Sequence, residues 1–320
     1  MNLSLILLFL FVSIIISFAI GANDETFSTI YGSKILSIKQ ILILTTIFAL
    51  LGTFFLGRNV SETVGKELLY IENSDSIVLT ILISTAAWLI FSSIFSIPIS
   101  TTHATIGSII GIGLFLGGIN GLNWLKILEM SFWWILSPII GYVISYISYK
   151  IISKLITQKI SGLKSFERIQ NIFSYILLVI ICLTAFSRAG NDASNAIGIL
   201  VGRDLININL ALIITGSGLA SGIIVLGRRV IKNVGTITEL YPSTAFSAEI
   251  PTSILLFVGT LLGIPLSGSH MLVASLVGLS KARKTRRKKG LWKIILIWII
   301  TVPASSLLAI LIYYPVIYFL

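Results

Sequence analysis

The 320-residue chain is 56% apolar and only 11% charged, and its mean hydropathy is +1.01. A typical soluble domain carries roughly 25% charged and about 45–50% apolar residues, so the composition excludes a water-soluble enzyme. A single cysteine, Cys182, excludes a disulfide-rich secreted scaffold, and the apolar content excludes a disordered chain. The composition therefore indicates a polytopic helical membrane protein.

The apolar residues form uninterrupted blocks, most of them about 17–25 residues long, which is the length of a helix that crosses a bilayer. Ten blocks follow in chain order: 3–20, 40–56, 77–97, 103–118, 124–149, 169–187, 206–226, 245–264, 270–279 and 291–320. Block 270–279 is too short to span alone, whereas 291–320 is long enough to span at a tilt. The first block lacks a basic leading region and a cleavage site, so we interpret it as a span.

The net charge of +11 is concentrated, since seven of the 23 basic residues lie between Lys281 and Lys289 with apolar blocks on both sides. The positive-inside rule makes this segment a cytoplasmic loop in contact with anionic lipids, and we do not expect a nucleic-acid partner. If spans alternate, the basic loop 150–168 is also cytoplasmic, like 281–290, and the N-terminus is outside. The sequence thus predicts a multi-pass protein of the cell membrane.

Short motifs occur twice in the same order and at nearly one spacing. Asn23-Asp24 is echoed by Asn191-Asp192, and Ser100-Thr101-Thr102 is echoed by Ser267-Gly268-Ser269. Two further echoes lie between them, at nearly the same offset along the chain. Matches in this order indicate an internal repeat.

Five apolar blocks separate the two copies, and an odd number inverts the second copy relative to the first. We therefore predict an all-α polytopic membrane protein with two inverted-topology repeats and broken or re-entrant helices at the midplane. The first repeat is residues 1–150, a cytoplasmic loop at 151–168 connects the halves, and the second repeat is residues 169–320. This architecture is typical of secondary transporters, whose site lies between the repeats.

The two acidic motifs each follow a long apolar run. A carboxylate in a membrane costs about 2.5–3.5 kcal/mol or more at the centre, so a matched pair indicates function, although one such Asp alone could cap a helix. The residues after each motif, 27–31 and 196–200, are mildly apolar and favour a chain that leaves the helix there. Carboxylates, amide oxygens and freed carbonyls are suitable ligands for Na⁺. Alternatively, the carboxylate itself could carry a proton as the coupling ion. The candidate ligands are Asn23, Asp24, Asn191 and Asp192.

The two hydroxyl motifs follow Pro98 and Pro265. Proline ends one helix and Ser or Thr caps the next, so capping alone explains the pattern. The same geometry offers free N–H donors and partial positive charge, which bind anions. Two such helix starts meeting at the centre would surround a tetrahedral oxyanion, with Asp24 and Asp192 as acceptors. The candidate donors are Ser100, Thr101, Thr102, Ser267 and Ser269.

Three further polar residues lie beside these motifs. His103 and His270 occupy equal places, and we expect each to bond a backbone carbonyl and fix a helix break. With no third His or nearby Cys, a zinc site is not expected. Arg188 precedes the second acidic motif and is placed to pair with Asp192.

These residues resemble the PiT family of inorganic phosphate transporters, which carries a paired acidic signature and a later hydroxyl motif in each half. Here the signatures are GANDETFSTIYGS (21–33) and RAGNDASNAIG (188–198), and the later motifs are PISTTHATIGS (98–108) and PLSGSHMLVAS (265–275). The resemblance implies symport of phosphate with Na⁺ or H⁺. It also implies that Asn195 and Glu249 join the cation ligands. No cofactor beyond the coupling ion is expected, and a homodimer stays open.

The sequence departs from that family's pattern at Phe27, where a second Asn is usual, and at Gly268, where a Thr is usual. The family also includes sulfate permeases, so sulfate is the alternative substrate. Phosphate is favoured because its O–H can donate to carboxylates that would repel sulfate. An intramembrane hydrolase near Ser217 and a passive anion channel are remote alternatives from other classes, and we do not expect an enzyme.

Overall fold

The computed structural model describes residues 3–94, 99–159, 162–203, 205–235, 240–285 and 291–320. These residues are almost entirely helical, with a 3₁₀ turn at Gly118–Gly121 and a π-helical turn at Ile223–Gly227. The α-helices of the described chain are α1 (Leu3–Ala22), α2 (Ser28–Gly32), α3 (Ile38–Lys66), α4 (Asp75–Ile94), α5 (Thr101–Gly117), α6 (Trp124–Lys159), α7 (Leu163–Val201), α8 (Ile208–Gly222), α9 (Arg228–Gly235), α10 (Pro242–Leu261), α11 (Gly268–Arg283) and α12 (Leu291–Phe319).

Each predicted apolar block overlaps one α-helix of the described chain, which confirms an all-α polytopic membrane protein. Residues 95–97 of block 77–97 lie outside the described residues, and block 206–226 continues from α8 into the π-helical turn. By length and composition, eight helical segments of the described chain can cross a membrane: Leu3–Ala22, Ile38–Lys66, Thr101–Gly121, Trp124–Gln158, Leu163–Val201, Ile208–Lys232, Pro242–Leu261 and Ile295–Phe319. Helix α11, which contains the short block 270–279, does not reach that length. The protein is therefore an integral membrane protein.

The connection expected as a loop at 151–168 is mostly helical instead. Helix α6 continues to Lys159 and α7 begins at Leu163. The lysines there do not stop a helix, because Lys is a good helix former. Gly162, directly before α7, has a φ of 96° that suits glycine. The predicted break at Pro98 and the basic residues Arg286, Arg287, Lys288 and Lys289 lie outside the described residues, and the sidedness of the loops stays a prediction.

Apolar side chains cover the outside of the molecule, and many polar side chains lie inside. Leu125 on α6 is 80% exposed, whereas Arg188 on α7 is only 9% exposed and Glu249 on α10 is fully buried. Lipid provides no reason to bury apolar residues, so polar groups collect where protein surrounds them. The buried polar residues of α7 therefore mark the functional interior.

Helices α3 and α7 form a close seam through glycine. A Cβ on Gly52 would overlap the carbonyl oxygen of Phe186, and a Cβ on Gly65 would overlap that of Gly198. The residue numbers of the two contacts increase together on both helices, so α3 and α7 run parallel, with their backbones touching. Small residues permit this approach in membrane helices.

The helix boundaries follow the sequence repeat. Helix α4 starts at Asp75 and α10 at Pro242, and α5 starts at Thr101 and α11 at Gly268. Both pairs of helix starts have the same separation along the chain as the two hydroxyl motifs. The division into two repeats is thus visible in the order of the elements, and their inverted relation stays a prediction.

Candidate functional site

The first acidic motif lies in a break between two helices. Helix α1 ends at Ala22, and Asp24 Oδ1 accepts hydrogen bonds from Thr26 N at 2.8 Å and from Thr26 Oγ1 at 2.5 Å. Asp and Thr stabilise turns in this way by replacing helical backbone bonds. The break therefore places Asp24 and Glu25 on a turn inside the molecule. It lies before most of the predicted stretch 27–31, because Ser28–Gly32 form α2.

The second acidic motif lies within a continuous helix, and the prediction that its chain leaves the helix at 196–200 is wrong. Helix α7 runs unbroken to Val201. Gly190 and Gly198 pack against Leu56 and Val64 of α3, and this packing offsets the low helix propensity of the motif. The helix leaves no freed carbonyls here, so this copy can offer a cation only side-chain oxygens.

The hydroxyl motifs cap two helices whose N-termini meet. The Ser100 hydroxyl accepts from His103 N at 3.2 Å at the start of α5, and the Ser267 hydroxyl accepts from His270 N at 3.4 Å at the start of α11. The imidazole centroids of His103 and His270 are 4.6 Å apart. These two helix starts therefore bring partial positive charge to one place.

Arg188 lies at the centre of the motifs. Its Nη1 donates to Glu25 Oε1 at 2.9 Å and lies 3.7 Å from Asp24 Oδ1. Its Nε donates to Asp192 Oδ2 at 3.4 Å, the pairing that the sequence predicts, and its Nη2 donates to Ser269 Oγ at 3.1 Å. One buried guanidinium thus connects both acidic motifs with the second hydroxyl motif.

The first hydroxyl motif joins the same cluster through Asp192. Thr101 Oγ1 donates to Asp192 Oδ1 at 3.3 Å. Asn195 Nδ2 lies 3.3 Å from Thr101 Oγ1 and 3.5 Å from Thr102 Oγ1. The Oδ1 atom of Asn195 is buried without a hydrogen-bond partner, so it remains available as an acceptor or a cation ligand.

The asparagines before the two aspartates each donate to a backbone carbonyl. Asn191 Nδ2 donates to the Ile264 carbonyl at 3.0 Å, and its Oδ1 accepts from Leu266 N at 3.1 Å. It thereby fixes the segment that precedes α11. Asn23 Nδ2 donates to the Ala19 carbonyl at 3.0 Å. The role of both as cation ligands stays a prediction.

Glu249 lies on α10 beside the first break. Its Oε1 accepts from Thr29 Oγ1 of α2 at 2.8 Å, and its Oε2 is buried without a hydrogen-bond partner. It interacts with the charges of Arg188, Glu25 and Asp24 through space. It therefore borders the Arg188 cluster without a hydrogen bond to it among the described contacts.

The histidines hold the helix starts together. His103 Nδ1 is 3.3 Å from the Trp298 carbonyl, as the sequence predicts, and the Trp134 ring packs on His103 with centroids 4.3 Å apart. The Nε2 atom of His270 is buried without a partner. The described part of the chain contains no group of three or more His, Cys, Asp or Glu side chains suited to a metal ion.

Glu25 is the site residue that sequence reasoning missed. It contacts Arg188 and Ser269 although 163 and 244 residues separate them in the chain. The available signal was a second acidic residue directly after Asp24, at the end of an apolar block. Such a residue is costly in a membrane unless it has a partner.

Comparison with known proteins gives one consistent result. Residues 20–309 match the model of the phosphate transporter family. A protein of Thermococcus kodakarensis, provisionally named a phosphate permease, is 26% identical over 94% of this chain and 96% of its own. The chloroplastic inorganic phosphate transporter 2-1 of Arabidopsis thaliana is 25% identical over 91% of this chain and 68% of its own.

A solved structure shares the fold over nearly the full length of both chains. It is described as the sodium-dependent phosphate transporter, and it superposes with a TM-score of 0.89 at 23% sequence identity. The match covers 99% of this chain and 100% of that one.

Proposed function

Since this chain belongs to the phosphate transporter family, we propose that it carries inorganic phosphate across a membrane together with Na⁺. The observation that carries the proposal is the convergence of two helix N-termini and a buried arginine between the acidic motifs. A transporter site needs donors for the anion and oxygen ligands for the cation at one place. The Arg188 cluster brings both together.

The anion donors are Arg188 and the hydroxyls of Thr101, Thr102 and Ser269. Guanidinium and hydroxyl groups around two helix starts suit a tetrahedral oxyanion. Ser100 and Ser267 cap these helices and keep their N–H groups directed at the centre. The sequence predicts that all five hydroxyls line the anion site, and we assign these two to capping.

Phosphate is favoured over sulfate because the same cluster is rich in acceptors. Asp24, Asp192 and the Asn195 Oδ1 atom lie beside the donors. A carboxylate repels a fully ionised sulfate oxygen but accepts a hydrogen bond from the O–H that phosphate retains near neutral pH. Unmet repulsion of the wrong ligand produces specificity.

Na⁺ suits the side-chain oxygens of Asp24, Asp192 and Asn195, with the amides of Asn23 and Asn191 as further candidates. The structure with the same fold is described as sodium-dependent. The alternative is H⁺ carried by Glu249, for which the described residues supply a hydroxyl donor and no ion-pair partner. A buried carboxylate of that kind is a candidate proton carrier.

Uptake of labelled phosphate by sealed proteoliposomes tests the function. An inward Na⁺ gradient should drive uptake, a pH gradient should not, and unlabelled phosphate should compete better than sulfate. Exchange of internal for external phosphate without a gradient would identify a carrier. Uptake driven only by a pH gradient would replace Na⁺ by H⁺, equal competition by sulfate would end the phosphate preference, and no counterflow of either anion would refute the function.

A further inference from the structure

Arg188 lies against the positive end of a helix. A Cβ on Gly268, the first residue of α11, would be 3.1 Å from Arg188 Nε and 3.2 Å from its Cδ. The free N–H groups of a helix start carry a partial positive charge that attracts anions and repels cations. A guanidinium in this place therefore requires an anion beside it.

Of the three carboxylates near Arg188, Glu25 is the one that also contacts the start of α11. Its Oε1 atom accepts from Arg188 Nη1 at 2.9 Å and from Ser269 Oγ, the second residue of α11, at 2.7 Å. The residue is 9% exposed, so little water competes for these bonds. A phosphate oxygen accepts the same kind of charge-assisted hydrogen bond from guanidinium and hydroxyl groups.

We propose that the Glu25 carboxylate is an internal substitute for the substrate, which occupies the phosphate subsite when no phosphate is bound. One oxygen of phosphate takes the two donors, Arg188 Nη1 and Ser269 Oγ, that Glu25 Oε1 takes in this structure. Phosphate binds only after it displaces the carboxylate. This inference rests on the proposed function, because it names how the same site is filled.

The position of Glu25 permits the exchange. It lies in the break between α1 and α2, so its side chain can swing aside while both helices keep their backbone bonds. Arg188 is fixed to α7, which is continuous, and it keeps Asp192 as a partner throughout. The displaced carboxylate is then an uncompensated buried charge, and a cation that binds it lowers the cost. Displacement thereby couples anion entry to cation entry.

Phosphate can bind only the molecules in which Glu25 has left the site. The apparent Kd is therefore the intrinsic Kd divided by the fraction of such molecules. Removing the Glu25 charge should therefore tighten phosphate binding roughly tenfold. The variants are Glu25→Gln, which keeps the volume, and Glu25→Ala, which also removes the acceptor oxygen. The matched control is Glu129→Gln, because Glu129 forms an ion pair with Lys126 at 3.1 Å on the surface.

Binding of inorganic phosphate is measured on the purified full chain at fixed saturating Na⁺, together with its thermal unfolding. We expect tighter phosphate binding in both Glu25 variants and no change in the control. Arg188→Gln should lose phosphate binding, and adding Glu25→Ala to it should recover nothing. If Glu25→Ala does not unfold cooperatively, Glu25→Gln carries the test.

The inference is overturned if a Glu25 variant unfolds cooperatively but binds phosphate no more tightly than the wild type does. That result is expected if Glu25 and Arg188 form a fixed structural ion pair. A gain that persists without Arg188 also overturns the inference. The proposed function fails on a different observation, which is a wild-type chain that binds neither phosphate nor sulfate.

Discussion

The two acidic motifs begin with the same Asn-Asp pair and fold differently. After Asn23-Asp24 the chain turns, and the short helix α2 starts at Ser28. After Asn191-Asp192 it continues as α7 to Val201. One copy therefore presents its carboxylates on a turn, and the other presents Asp192 from a rigid helix, one turn from Arg188. A repeated motif can thus supply a movable half and a fixed half of a single site.

The residues that follow each pair decide which fold forms. In the first copy, Thr26 bonds Asp24 through both its N–H and its hydroxyl. In the second, Ser194 occupies the matching place after Asp192, and its hydroxyl donates to the Asn191 carbonyl at 2.8 Å within the helix. Ala193 and Ala196 flank it and favour the helix. Local polar bonds thus end one helix and leave the other intact.

The largest expected effect comes from neutralising each aspartate. Asp24→Asn and Asp192→Asn should each lower Na⁺-driven phosphate uptake about tenfold to a hundredfold, the value of a lost charge-assisted bond. Asp24→Asn should keep the turn, because an amide oxygen still accepts from Thr26. Asp192→Asn should also lower the unfolding temperature, because it weakens the Arg188 pair. Uptake in proteoliposomes and thermal unfolding separate the two.

A wild-type uptake rate with unchanged Na⁺ dependence in either variant would show that this aspartate is not a cation ligand. Equal loss of thermal stability in both would mean that the turn and the helix depend on these charges alike.

A smaller effect is expected where the two hydroxyl motifs differ. Gly268 occupies the place of Thr101, and a Cβ there would be 3.1 Å from the Arg188 Nε atom. Gly268→Ala should displace the guanidinium and weaken phosphate binding by roughly fivefold, about 1 kcal/mol of a charged hydrogen bond. Gly216→Ala is the matched control, since its Cβ would make an ordinary contact at 3.4 Å. Equal affinity of the two variants in a phosphate titration would contradict the role of Gly268.

The turn itself can be tested through the paired hydroxyl residues. Thr26→Ala should cost about 1–2 kcal/mol of folding free energy, because it removes the 2.5 Å bond to Asp24. Ser194→Ala should cost less than about 0.5 kcal/mol, because its bond only returns to the helix backbone. Unfolding of the purified variants in detergent measures both, and a larger loss for Ser194→Ala would remove the assigned difference between the copies.

The smallest effects on phosphate binding are expected at the two capping serines. Ser100→Ala and Ser267→Ala should each cost about 1 kcal/mol of stability and leave phosphate affinity unchanged. Thr101→Ala and Ser269→Ala should instead weaken phosphate binding about tenfold. An equally large loss of affinity in the Ser100 variant would assign its hydroxyl to the anion site as well as to the cap.

The sequence predicts the helices well because a helix that spans lipid needs a long apolar run, and each of the ten blocks overlaps a helix of the described chain. Spacing also predicts the ion pair of Arg188 with Asp192, because residues four apart lie one turn from each other on a helix. The course of the chain after Asn191-Asp192 was not predictable, since packing of Gly190 and Gly198 on α3 holds that helix together. The contact of Glu25 with Ser269 depends on tertiary packing, which no local pattern encodes.

The glycine seam between α3 and α7 limits the mechanics of the transport cycle. Where two backbones touch, a slide of one helix along the other would drive carbonyl oxygens into the opposite chain. Helices α3 and α7 therefore move as one body and carry Arg188 and Asp192 with them. The parts free to rock against that body are those joined to it through side chains, namely the turn at Asp24 and Glu25 and the helix starts at Thr101 and Ser269. If the protein opens to each side of the membrane in turn, we expect Arg188 to keep its place on this body while the turn and the two helix starts exchange hydrogen-bond partners with it.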